Sequence, residues 1–118
     1  MKNIALDIKR QRLLFEGHFS IEVDENTIRD YFNIITKKLN LRTYGDPIIF
    51  SPSGMGKGEN QGYDAFVPLI DSGISLYVWS AKKFISLIIY TCKDFDEQIA
   101  TEETEKFFDV SDSETLNF

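Results

Sequence analysis

The sequence holds one cysteine and one histidine, Cys92 and His18, and these are its natural candidates for nucleophilic or acid–base chemistry. A Cys-His arrangement could pair only these two, and nothing in their spacing supports it. One cysteine excludes an internal disulfide and any multi-cysteine metal site. A single His and a single Cys among scattered carboxylates make a poor metal set, so no metal is expected. Taken alone, Cys92 reads as a small buried hydrophobe and His18 as a hydrogen-bonded surface side chain. Ser72 stands at the centre of Asp71-Ser72-Gly73, which by pattern is a tight turn. Gly56-Lys57 suggests a phosphate cradle, but a P-loop needs a glycine five residues before the Gly-Lys and a Ser or Thr directly after it. Position 51 is Ser and position 58 is Gly. The 51–62 stretch therefore reads as a mobile connection, and Glu102, Glu103 and Glu105 read as the solvated side of a helix.

The elements that must position these residues follow from periodicity. Tyr63–Ile70, Ile74–Trp79 and Phe84–Thr91 are three β-rich runs separated by turns at Asp71-Ser72-Gly73 and at 80–83. Alternation puts Ile74, Leu76 and Val78 on one face of the second run, with Ser75, Tyr77 and Trp79 on the other. In the third run Ile85, Leu87 and Ile89 oppose Phe84, Ser86, Ile88 and Tyr90. Two mostly apolar faces predict a central strand covered on both sides, by helices, a second sheet or a partner subunit. Arg12–Glu22 alternates as a strand with Leu13, Phe15, Phe19 and Ile21 on its apolar face. Ile28, Tyr31, Phe32, Ile35 and Leu39 recur at helical spacing, predicting a helix over 26–39, capped by Asp24 or Asn26 and closed by Lys37 and Lys38. Ile48-Ile49-Phe50 is a short strand. A second helix is expected from about Phe95 to Phe107, capped by Asp94 or Asp96. The sum, β-α-β-β-β-β-α, is an α+β two-layer sandwich: a mostly antiparallel sheet with helices on one face. Residues 1–11 read as an N-terminal arm, 12–108 as the single domain, and 109–118 as a frayed acidic tail.

At 118 residues the chain supports one core. Its net charge of -6 offers no electrostatic footprint for a phosphate backbone, so no nucleic-acid partner is expected. From Asp94 onward nine acids face one base, Lys106. No apolar run reaches the length of a membrane span and no signal-peptide core is present, so a cytoplasmic protein without a membrane partner is expected.

From Gly62 to Asp96 the chain reads GYDAFVPLIDSGISLYVWSAKKFISLIIYTCKDFD. This run resembles, without gaps, the GVSGFVxIAESHISIHTxPExxFxxxDxFSCKxFD run of the small prokaryotic S-adenosylmethionine decarboxylases, the pyruvoyl enzymes of polyamine synthesis. LLFEG near the N-terminus, LNLRTYGDPIIF after the first helix and EETEKFF in the second are similar too, so the resemblance spans Leu13 to Phe108. Its most specific elements are Ser72 and, twenty positions later, Cys92. The resemblance implies self-cleavage at Asp71–Ser72: the serine hydroxyl attacks the preceding carbonyl, and the resulting ester eliminates to leave a pyruvoyl group from Ser72. That group would form a Schiff base with the substrate amine and accept electrons as CO₂ leaves. Cys92 matches the cysteine that returns a proton to the substrate carbon, a role suited to a thiol because thiols titrate within reach of neutrality.

The departures fall on the processing machinery. The family's cleavage-site glutamate is Asp71 here, its processing histidine is Tyr77, and a second processing serine is Asp64. The histidine after the cleavage serine is Gly73, and a Pro-Glu pair is Ala81-Lys82. A phenol ordinarily titrates near ~10 and is a poorer base than imidazole. The expectation is therefore a decarboxylase-like protein that is not self-processed, has no cofactor in that form, and binds S-adenosylmethionine or a related ligand. Ser72, Cys92, Tyr77 and Asp64 are the expected catalytic residues, with Phe50, Trp79 and Glu16 as ligand contacts. One alternative is an active pyruvoyl-dependent decarboxylase in which Tyr77 or Asp64 moves the proton. Another is a lyase without pyruvoyl, in which Asp64, Asp71 or Glu16 abstracts a proton and the sulfonium is eliminated. The apolar sheet faces and the resemblance both predict a homodimer with sites near its interface.

Overall fold

The computed structural model describes residues 1–51, 58 and 61–118. Gly56-Lys57 and most of the glycine-rich connection lie outside the described residues. The elements are β1 (Gln11–His18), α1 (Glu25–Lys38), β2 (Ile48–Phe50), β3 (Gly62–Leu69), β4 (Ser72–Trp79), β5 (Phe84–Thr91), α2 (Glu97–Phe108) and β6 (Asp112–Asn117). All six strands join one sheet in the order β2-β3-β4-β5-β1-β6, and every pairing is antiparallel. Both helices are amphipathic, and their buried stripes join the side chains of one sheet face in a common core. The expected two-layer α+β architecture is thus present. No described helix is long and apolar enough to cross a membrane.

Local chemistry explains the boundaries. Asp24 caps α1: its carboxylate accepts from Thr27 N at 2.8 Å, while Thr27 Oγ1 accepts from Asp24 N at 3.1 Å. Asp96 caps α2 by accepting from Ile99 N at 3.1 Å. Ile28, Tyr31, Phe32 and Ile35 of α1 are buried, as are Ala100, Thr104 and Phe108 of α2 at i, i+4, i+8. Below them lie Leu13 and Phe15 of β1, Ala65 and Val67 of β3, Ile74, Leu76 and Val78 of β4, and Ile85, Leu87 and Ile89 of β5. Each of the Val, Leu, Ile and Phe side chains among them contributes about 1.5–3 kcal/mol by leaving water.

Three expectations are corrected. β1 stops at His18 because the next amides turn elsewhere: Phe19 N donates to Lys83 O and Ser20 N to Phe108 O. β4 begins at Ser72, not Ile74, since Ser72 and Gly73 already pair with Leu69 and Pro68; the turn is Ile70-Asp71. The acidic tail does not fray, because residues 112–117 add β6 to the free edge of β1. Gly17 lets that strand approach: a Cβ there would lie 2.7 Å from Val110 Cγ1 and 2.8 Å from Asp112 O. As expected, the helices cover one sheet face; among the described residues of a single chain the other face stays open. The opposite face leaves Phe50 67%, Phe66 39%, Tyr77 37% and Tyr90 38% exposed.

Candidate functional site

The β3–β4 turn holds Ser72 by its backbone. Asp71 has φ 77° and Ser72 φ 154°, two successive positive values that side-chain-bearing residues adopt at a cost. β5 supplies the restraint from the neighbouring side. Cys92 N donates to Asp71 O at 2.9 Å, and Ser72 Oγ donates to Cys92 Sγ at 3.7 Å. Hydroxyl and thiol therefore meet at one end of the sheet, where Asp71 and Cys92 are exposed and Ser72 is half-buried. The Asp71 carbonyl, which the Ser72 hydroxyl would attack in an acyl shift, accepts from an amide donor. A donor so placed stabilises negative charge developing on that oxygen.

The other expected residues lie away from this turn, on the open face. The register aligns Phe50, Asp64, Tyr77, Ser86, Glu16 and Glu114 in one row running across all six strands. Within it Ser86 Oγ donates to Glu16 Oε2 at 2.8 Å. Phe50, Asp64 and Tyr77 line a shallow hollow of ≈ 250 Å³ with Ile48, Phe66 and Ser75. Tyr77 is five residues from Ser72 along β4, roughly 16 Å at ~3.3 Å per residue. Trp79 is two residues further still, beside Phe84 at a ring separation of 5.3 Å. One chain thus brings Ser72, Asp71 and Cys92 together, brings Phe50, Asp64 and Tyr77 together, and keeps the two groups apart.

His18 belongs to neither group. It sits at the far end of β1, where Nδ1 lies 2.9 Å from Asp112 Oδ2. That hydrogen bond, aided by the imidazole charge, holds the Asp112 carboxyl below the usual carboxylate range. Glu16, Gly17, His18, Phe84, Asp112, Ser113 and Glu114 border a second hollow of ≈ 260 Å³ there. Among the described residues, no group of three or more His, Cys, Asp or Glu side chains could hold a metal ion. Sequence reading missed Phe66, which stands between the two groups, although alternation from Asp64 places it on the open face. It also missed the Cys92 N–Asp71 O bond, for which no side-chain pattern gives a signal.

A family model described as S-adenosylmethionine decarboxylase matches residues 16–118. Among solved structures, the crystal structure of the adenosylmethionine decarboxylase from Aquifex aeolicus superposes with a TM-score of 0.71 at 17% identity, covering 94% of this chain and 89% of that one. A search of curated proteins gave no match.

Proposed function

The chain belongs to the S-adenosylmethionine decarboxylase family, and on that premise we propose that it binds S-adenosylmethionine or a related sulfonium or amine ligand on its open sheet face while remaining largely uncut. The observation that carries this reading is the Ser72 Oγ–Cys92 Sγ contact of 3.7 Å at a turn open to solvent. A ligand bound there meets a hydroxyl, a thiol and the Asp71 carboxylate, the last suited to an ammonium or sulfonium charge. Persistence of the intact chain is supported by the position of its one imidazole. His18 faces Phe84 and Asp112, whereas Ser72 pairs with Leu69 and Thr91 near the opposite end of the sheet. No histidine of the same chain can therefore take the Ser72 proton.

A homodimer completes this reading. If a second copy covers the apolar open face, a two-fold axis lying between the sheets and across the strands superposes one end of β4 on the other. Asp64, Tyr77 and Phe50 of one copy then approach Ser72 and Cys92 of the other. Isothermal titration with S-adenosylmethionine tests the proposal. Saturable binding that weakens at least ~tenfold in Asp64→Asn, as expected for a lost charged contact, supports it; heats no larger than dilution contradict it.

The geometry at Asp71 favours a second reading, in which the chain processes itself and decarboxylates. The Cys92 amide already polarises the carbonyl that Ser72 would attack, and both flanking residues hold costly positive φ. In that case the Asp71–Ser72 amide bond breaks as the seryl ester forms, β-elimination releases the Asp71 carboxylate and leaves dehydroalanine at position 72, and water then displaces its nitrogen as ammonia to leave pyruvoyl on the 72–118 fragment. Cys92 would then return a proton to the substrate carbon. A Ser72→Ala variant that still released CO₂ from S-adenosylmethionine would eliminate this mechanism.

A further inference from the structure

We infer that Phe66 is a positioning residue for Ser72, acting through Gly73, an inference that rests on the Ser72–Cys92 pair being the functional site. Gly73 follows Ser72 directly and pairs with Pro68, one row beyond Phe66 on the same open face. A Cβ at Gly73 would lie 2.5 Å from both Cε2 and Cζ of Phe66, and 3.4 Å from Val67 O. The edge of the Phe66 ring therefore occupies the space that a side chain at position 73 would fill. Gly73 does not adopt the left-handed backbone region, so its missing side chain serves space and not conformation.

The consequence falls on the residue before it. Ser72 (φ 154°) is fixed from one side by the Cys92 N–Asp71 O bond and from the other by the ring pressed against Gly73. Unfavourable backbone conformations persist where surrounding packing over-determines them. Removing the ring frees one side of the turn, lets φ at Ser72 relax, and lowers the population in which hydroxyl and thiol touch. The ring also walls the hollow that holds Phe50, Asp64 and Tyr77, so a ligand filling that hollow presses on the same ring that holds the turn.

Because the chain has one cysteine, iodoacetamide alkylation followed by mass spectrometry reads this site alone. Ser72→Ala removes the donor that stabilises charge on sulfur and should slow alkylation by roughly three- to tenfold, the factor one modest hydrogen bond supplies. Phe66→Ala should slow it in the same direction by a comparable factor, while Phe66→Leu, which still covers Gly73, restores most of the rate. Gly73→Ala should slow alkylation in the presence of Phe66 but add little once residue 66 is Ala, a non-additivity expected of two groups in contact. Phe84→Ala, an aromatic deletion on the same face at the far end, should lower the urea midpoint without changing the rate. Slowing by Ser72→Ala but not by Phe66→Ala overturns the positioning role, and so does equal slowing by Phe84→Ala. No change in Ser72→Ala overturns the Ser72–Cys92 reading itself, and the inference with it.

Discussion

The covered layer of the sandwich contains one polar contact whose two halves should differ in cost. Tyr31 of α1 and Thr104 of α2 are each 0% exposed, with their oxygens 2.8 Å apart. Thr104 Oγ1 also donates to Ala100 O at 2.7 Å, which makes Tyr31 OH the donor between the two hydroxyls. Burial pushes the Tyr31 phenol above its ordinary range, with the Thr104 hydrogen bond opposing the shift. Tyr31→Phe removes the donor, keeps the ring, and leaves Thr104 bonded to Ala100; it should cost about 0.5–1.5 kcal/mol, the net value of one hydrogen bond. Thr104→Val keeps the shape but strands the phenol hydroxyl without water, which should cost about 1–3 kcal/mol. With a urea slope near ~1.5 kcal/mol per M, the midpoint should fall by roughly 0.7 M for Tyr31→Phe and roughly 1.3 M for Thr104→Val. The double variant should lose less than the sum, since no donor is then stranded. Urea unfolding followed by tryptophan fluorescence and circular dichroism measures all three. Equal costs, or a larger cost for Tyr31→Phe, would refute the assigned donor direction and the asymmetry drawn from it.

Further consequences are open to test. Gly17→Val should push β6 off its edge through Val110 and Asp112, so hydrogen exchange should lose protection over 112–117 while β3–β5 keep theirs. Protection retained at 112–117 would show that the strand does not depend on that close approach. Asp24 and Asp112 are held below the usual carboxylate range, chiefly by the Thr27 backbone N–H and by the His18 hydrogen bond respectively. Depressed folded values mean that their contribution is fully present above the ordinary carboxylate range near ~4 and is lost as pH falls through the lowered values. Asp24→Asn and Asp112→Asn should each flatten the acid limb of a stability–pH curve, and an unchanged limb would contradict the assignment. Ile88→Glu places a charge in mid-sheet on the open face, so sedimentation should show a dimer for the parent and a monomer for the variant. A monomeric parent at micromolar concentration would remove the dimer from the account.

The meander was legible in the sequence because its chemistry repeats with period two: Ile74, Leu76 and Val78 alternate with Ser75, Tyr77 and Trp79, and each set lies on one face. The first helix was equally legible from Ile28, Tyr31, Phe32 and Ile35, and from an Asp24 cap that needs only its own local sequence. β6 was not. Asp-Ser-Glu-Thr carries little strand preference, and its pairing comes from the edge of β1 and the bare Gly17, distant in sequence, the nearest partners being His18 and Asp112. The proximity of Ser72 to Cys92 was expected from resemblance, but its cause is a backbone bond between Cys92 and Asp71 that leaves no trace in composition. The distance between Ser72 and Tyr77 could be read from strand rise alone. What alternation could not give is which face the helices cover, and hence that Phe50, Asp64 and Tyr77 lie together in the open.

Native mass spectrometry of the purified chain, with and without S-adenosylmethionine and followed by denaturation of the same sample, tests the central claim most directly. The account predicts two uncut 13.6 kDa chains together, one ligand adduct per chain, and the same uncut mass after denaturation. Stoichiometric fragments divided between Asp71 and Ser72, or no adduct at saturating ligand, would contradict it.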